Sequence, residues 1–319
     1  MTSSPRNIAD WLSTHQIAIC GLGIVTGALV GWLVPGANVL EWAITPALMI
    51  LLFATFLGVP ILQPLRLREH ARFFASVLLT NFVAVPALAW LVSRLVAGDD
   101  ALVFGVLLVL LTPCVDYVIV FTRMAGGDAA TLLRSTPLLM LLQFVLLPVF
   151  LFLFLGSDAA AAIAPGPFVQ AFLLIIAMPF AAAALVQRFS SGAPSLVIRT
   201  AELAMVPVTA MTLFLVLASQ FGSILAEAAG LSVAVGVYVA FVLLAFAIGV
   251  LIAKLSGLAV PESRALVFSG VTRNSLVVLP LAFALPEGYA IVPVVVVTQT
   301  VVELLAMLIL VRVVPRVLV

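Results

Sequence analysis

Ten long apolar runs alternate with short polar breaks along this chain. A membrane-spanning helix needs roughly 20 predominantly apolar residues. The runs predict spanning helices over 17–34, 43–62, 73–96, 101–122, 132–155, 168–186, 201–221, 231–253, 263–285 and 290–311. Lys and Arg accumulate in short loops on the cytoplasmic side. With the N-terminus inside and strict alternation, the inner segments carry Arg6, then Arg66, Arg68 and Arg72, then Arg123 and Arg134. They continue with Arg188 and Arg199, Lys254 and Arg264, and Arg312 and Arg316. The outer loops carry Arg94 alone among basic residues, with Glu41, Asp99, Asp100, Asp158, Glu227 and Glu287. One span too many or too few would scramble this segregation. The pattern therefore predicts ten membrane spans, with both termini cytoplasmic.

Ten spans divide into two sets of five, over 1–160 and 161–319. An odd number per set makes the second half enter the membrane in the opposite sense, which is an inverted repeat. The fold expected is an all-α polytopic membrane protein in which the fourth and ninth helices are broken and cross. The breaks are polar. The fourth run is interrupted by Thr112-Pro113-Cys114-Val115-Asp116, and the ninth by Thr272-Arg273-Asn274-Ser275. Cys114 lies 14 residues before Asp128, and Arg273 lies 14 before Glu287, in matching register within each half. Each acid neighbours a glycine, Gly127 or Gly288.

Composition agrees with this reading: 65% of the residues are hydrophobic and 8% charged, where a soluble domain has about 25% charged. The near-neutral net charge gives no reason to invoke nucleic acid. The N-terminal polar stretch is short, and the apolar run after it lacks a small-residue cleavage site, so it is read as the first span and not as a removed signal peptide. Cys20 and Cys114 lie in or beside apolar runs, which disfavours a disulfide framework. No Walker loop, hydrolytic triad, or paired aspartates or Ser/His in the spans is found, so an enzyme or a directly ATP-driven pump is not expected. His15 and His70 suggest no metal site, and no cofactor is expected.

The breaks carry the candidate chemistry. Pro113 opens the fourth helix, because it lacks an N–H and its ring crowds the preceding turn. Open backbone at membrane depth is tolerated only inside protein or beside a water-filled cavity. Cys114 on that stretch is either a small buried hydrophobe or a soft sulfur ligand for a thiophilic substrate. Arg273 cannot shed its charge, and a bare guanidinium in hydrocarbon costs roughly 3 kcal/mol or more. Asp116 is its expected partner, either as a structural ion pair or as one that shifts when substrate or a proton arrives. Asn274 and Ser275 offer hydrogen bonds to a polar substrate. Glu303 shares a helix face with Gln299, four residues earlier. It is either a proton carrier or a carboxylate bonded to the opened backbone of the ninth span. Gln143 in the fifth span is the weaker counterpart of this region in the other half.

These motifs resemble the arsenite permeases, the arsenical-resistance branch of the bile acid/sodium symporter superfamily. The resemblance rests on Pro113-Cys114 and Gly127-Asp128 at the family's spacing, on Phe268-Ser269 leading to Asn274, on Val302-Glu303, and on the five-plus-five topology. It implies efflux of arsenite, and of antimonite, in exchange for protons, with Cys114 contacting arsenic. It also implies a core of spans three to five and eight to ten moving against a panel of spans one, two, six and seven. The chain departs from the family pattern at three places. Leu276 stands where a Glu is usual, Arg273 where an Asn is, and Asp116 where a small residue is. The sodium-binding positions of relatives correspond to Val118, Ile119, Ser269 and Arg273, which cannot build the same sites. Transport without sodium is therefore expected, with Arg273 as a fixed charge where relatives bind a mobile one. Two other readings stand beside this one. In the first, Arg273 is the counter-charge for a small organic or arsenical anion. In the second, the protein is a membrane sensor that does not transport.

Overall fold

The computed structural model describes residues 11–12, 15–58, 70–115, 117–162, 169–189, 196–226 and 228–319. Among these residues the chain is helical throughout, apart from loops, turns and one isolated backbone bridge. It divides into two compact units, one of residues 1–62 and 166–228, the other of 63–165 and 229–319. Seven helices are long and apolar enough to cross a membrane. Two shorter apolar helices are Ala18–Leu33 and Asp100–Leu110. The runs expected as the fourth and ninth spans are each split into two short helices, because their central residues leave helical geometry.

The first unit contains α1 (Gln16–Leu33), α2 (Ile44–Gly58), α8 (Met178–Phe189) and α9 (Leu196–Ala226). A ridge of glycines on α1, at Gly23, Gly27 and Gly31, lies against α9. A Cβ added at Gly23 would sit 2.5 Å from the Ala210 carbonyl oxygen, and one at Gly27 would sit 2.6 Å from that of Phe214. Small residues every fourth position let two helix backbones approach closely, which is how helices associate where water gives no hydrophobic drive. Gln187 of α8 donates from Nε2 to the carbonyls of Phe56 and Leu57, at 3.1 and 3.2 Å, and so ties α8 to the end of α2.

The second unit contains α3 (Ala71–Leu79), α4 (Val85–Ser93), α5 (Asp100–Leu110), α6 (Val118–Met124) and α7 (Ala129–Ala162). It continues with α10 (Ala228–Leu255), α11 (Val260–Val271), α12 (Ser275–Phe283) and α13 (Val292–Val317). A π turn over Thr80–Ala84 joins α3 to α4, just before Pro86. Proline has no N–H for the carbonyl one turn back, and the widened turn accommodates that loss. Asp99 caps α5, accepting from the N–H groups of Ala101 and Leu102. Gly126 has φ of 64° in the turn before α7, a left-handed conformation that glycine adopts freely. Asp128 then accepts from the Thr131 N–H and hydroxyl, which caps α7. The Gly127-Asp128 motif thus builds a helix start. Outward faces are apolar: Val145, Val149, Phe152 and Leu153 of α7 are all exposed. A contiguous apolar face of this kind suits lipid and not water.

The glycine ridge is tested by Gly27→Leu, with Gly21→Leu as control because open space lies above Gly21. Overpacking costs about 1–3 kcal/mol. The Gly27 variant is expected to melt at a lower temperature in detergent, and the control to melt like the parent. Equal melting would remove the ridge as a packing contact.

Candidate functional site at two broken helices

Both breaks lie in the second unit, and they meet. Between α5 and α6 the chain leaves the helix at Thr112-Pro113-Cys114. Between α11 and α12 it leaves at Thr272, whose φ and ψ of −81° and 136° are extended. The two stretches run antiparallel. Cys114 N–H donates to Thr272 O at 3.3 Å, and Asn274 N–H donates to Thr112 O at 2.8 Å. Backbone groups at membrane depth have no water to bond, so each break satisfies the other. Pro113 and Arg273 face each other between these two bonds. They form the kind of antiparallel pair that exchanges no bond of its own. A proline is therefore tolerated there, since no N–H is required of it. Asn274 begins α12, its Oδ1 accepting from Val277 N–H at 3.3 Å.

The groups of Arg273 that the bridge leaves over are taken up nearby. Its backbone N–H donates to Glu303 Oε2 at 2.7 Å. The Tyr117 hydroxyl lies 2.6 Å from Glu303 Oε1 and 3.1 Å from Arg273 O, and its single proton donates to one of them at a time. Gln299 Nε2 donates to Glu303 Oε2. Glu303 of α13 is thus bonded to the opened backbone of the second break.

The Arg273 side chain is 0% exposed. Nη2 donates to Ser269 O at 2.6 Å, Asn81 Oδ1 at 2.8 Å and Gly270 O at 3.0 Å. Nη1 reaches Leu110 O at 3.5 Å. The Phe241 ring lies with its centroid 5.9 Å from Cζ, within range of a cation–π attraction. Among the described residues, Nε is buried with no hydrogen-bond partner. Among the described residues, four neutral oxygens and a ring face therefore surround the cation. Asn81 sits in the π turn and donates to Ser269 Oγ at 2.9 Å, which fixes its oxygen toward the guanidinium. Gly270 permits this approach, since a Cβ there would lie 2.8 Å from Thr80 Cγ2.

Of the residues singled out by sequence, Pro113, Cys114, Arg273, Asn274 and Ser275 meet at the crossing, and Glu303 joins them through the Arg273 backbone. Cys114 is a buried thiol, 1% exposed. Ser275 Oγ lies 2.6 Å from Thr300 Oγ1. Asp116, and with it the expected ion pair to Arg273, lies outside the described residues. Besides Phe241, three polar contributors escaped the sequence reading. Asn81 is a single amide in an apolar run, Tyr117 follows the recognised motif directly, and Thr300 lies beside Gln299.

The oxygen cage is tested by Asn81→Leu. A hydrogen bond to a charged group contributes about 1.5–3 kcal/mol. The variant is expected to lose stability of that order in detergent melting, while Asn81→Asp keeps the acceptor and the fold. If Asn81→Leu melts like the parent, Asn81 does not hold the cation.

The model of the sodium bile acid symporter family matches residues 45–227, more than half of the chain. The matched region includes the first break and the π turn that carries Asn81, and ends before the second break. No curated protein matches the chain. With the family match and several apolar helices of spanning length, the chain is a multi-pass membrane transporter that belongs to the sodium bile acid symporter family.

Proposed function

We propose that this protein is a secondary active carrier that exports arsenite in exchange for protons and needs no sodium. The observation that carries the sodium independence is the cage around Arg273. Its guanidinium is held by Ser269 O, Asn81 Oδ1, Gly270 O and Leu110 O within 3.5 Å. Neutral oxygens are what a hard monovalent cation seeks. Here a covalently attached cation has them already, so the crossing is complete without an ion from solution.

The arsenite assignment rests on Cys114 at the crossing and on the Pro113-Cys114 and Gly127-Asp128 resemblance. Trivalent arsenic is thiophilic, and a single thiolate or thiol binds it reversibly. Antimonite follows by the same chemistry. The proton assignment rests on Glu303, a buried carboxylate whose oxygens meet the Tyr117 hydroxyl, the Gln299 amide and the Arg273 backbone. Asp116 is the second proton-coupling candidate on sequence grounds. In this reading the seven long helices, the shorter first helix and the two broken segments make ten spans in two inverted repeats. The second unit acts as core and the first as panel. The protein sits in the plasma membrane with both termini in the cytoplasm.

A second reading keeps the carrier and gives it a small organic or arsenical anion. The buried Nε of Arg273, which has no hydrogen-bond partner among the described residues, favours it, because an anion would supply an acceptor.

Everted membrane vesicles separate these readings. Arsenite uptake is expected to follow an imposed pH gradient and to be unchanged in sodium-free buffer. Cys114→Ser is expected to lower uptake about tenfold or more, which is about 1.4 kcal/mol. Glu303→Gln is expected to keep arsenite–arsenite exchange and lose the response to the gradient. A sodium requirement, or no arsenite uptake by well-inserted parent protein, would overturn the proposal.

A further inference from the structure

The two carboxylate oxygens of Glu303 have different neighbours. Oε2 accepts from the Arg273 backbone N–H at 2.7 Å and from Gln299 Nε2. Oε1 faces the Tyr117 hydroxyl at 2.6 Å. Both residues are buried. A carboxylate oxygen accepts at two lone-pair sites, so two N–H donors fill Oε2. A proton that reaches Glu303 therefore lands on Oε1, where the neighbour is a hydroxyl able to reverse its role.

A phenol has one proton to donate and lone pairs that accept. Opposite a carboxylate, Tyr117 donates to Glu303 Oε1. Opposite a carboxylic acid with its proton on Oε1, Tyr117 accepts, and its own hydrogen must turn elsewhere. The Arg273 carbonyl oxygen, 3.1 Å from the same hydroxyl, is the acceptor within reach. The turn is a rotation about the C–O bond. Glu303 gains one proton from solution, and Tyr117 keeps its own and never ionises. The other ionisable groups around Glu303 are committed or differently placed. The Arg273 guanidinium is bonded to its four oxygens. Cys114 is a buried thiol on the facing break, and Tyr238 of α10 donates to Val295 O of α13 at 3.1 Å. Asp116 lies outside the described residues.

We propose that the Tyr117 hydroxyl is a rotor that passes the protonation state of Glu303 to the backbone of the second break. With Glu303 ionised, the break is gripped at the Arg273 N–H by a charge-assisted bond, which is the stronger kind. With Glu303 protonated, that grip weakens and Tyr117 takes hold of the Arg273 carbonyl instead. This carbonyl belongs to the same peptide as the Asn274 N–H, which donates to Thr112 O at 2.8 Å. Hydrogen bonds in a chain polarise and strengthen one another, so the rotor tightens one of the two bonds that join the breaks. Tyr117 is thus a positioning residue, acting through Glu303 and the main chain. The inference rests on the reading of Glu303 as a proton carrier, and it goes further by naming the group that senses the proton.

The test is pH-induced infrared difference spectroscopy of the purified full chain in lipid bilayers, with isotope-labelled tyrosine. The carboxylic acid carbonyl band reads Glu303, and the tyrosine C–O band reads whether a phenol donates or accepts. Acidification is expected to raise the first band and shift the second with one common midpoint. Glu303→Gln is expected to lose both signals, and Tyr117→Phe to lose the tyrosine shift. The chain has three tyrosines, so Tyr238→Phe and Tyr289→Phe must each keep the shift. Those two controls assign it by exclusion should Tyr117→Phe fail to fold, and the common midpoint in the parent decides should Glu303→Gln fail. A Glu303 band with no tyrosine shift overturns the rotor and leaves Glu303 as a proton carrier. A shift that survives Tyr117→Phe, or that has its own midpoint, does the same. No Glu303 band at any pH where the chain stays folded sinks carrier and rotor together. Both signals without pH-driven arsenite uptake in vesicles would sink the arsenite–proton exchange and leave the rotor standing.

Discussion

The second unit depends on two backbone hydrogen bonds, Cys114 N–H to Thr272 O and Asn274 N–H to Thr112 O. A helix that stops in the middle of a membrane protein exposes carbonyls and amides that hydrocarbon cannot satisfy. Two such stops placed together cancel much of each other's cost. Neither break is stable without the other, so the crossing forms as one piece. This also explains how a proline and an arginine come to face each other. The position between the two bonds asks for no N–H from either strand, which suits Pro113. It also releases the Arg273 N–H to Glu303 on a third element.

The polar residues of the unit follow from that geometry in sequence. Glu303 is fixed by the spare Arg273 amide, and Tyr117 and Gln299 then bond to Glu303. The π turn of Thr80–Ala84 brings Asn81 to the guanidinium, and Asn81 is held in turn by Ser269. Around these few atoms the packing is close and apolar. Gly105 of α5 lies against Val295 of α13, and Gly249 of α10 lies against Val267 of α11. The cost of ordering a polar cluster in such surroundings is met by contacts that involve no polar atom.

Much of this was visible in the chain itself. Pro113 announces the first break, and Thr272-Arg273-Asn274-Ser275 announces the second by polarity alone. What could not be read is how the breaks satisfy each other. Three of the four oxygens around Arg273 are backbone carbonyls, and a carbonyl has no letter in a sequence. The expected partner Asp116 lies outside the described residues, and the carbonyls that do meet the cation belong to the main chain, which a list of side chains leaves out. Asn81 was passed over as one amide in an apolar run, although Pro86 five residues on marks where that helix must widen. The ridge of Gly23, Gly27 and Gly31 was legible in its spacing. It was missed because hydropathy counts a glycine as neutral filler, while its effect is to let a neighbouring backbone come near. Gln299 was read only as the face-mate of Glu303, and its hydrogen bond to that carboxylate appears only in the fold.

A cation attached by a covalent stem has no concentration. The cage around Arg273 is filled at every ionic strength and on both sides of a membrane, because its occupant cannot diffuse away. An ion from solution reports the composition of the bath each time it binds or leaves, whereas Arg273 reports nothing. Any direction imposed on this protein must then enter through a group whose state does change with its surroundings.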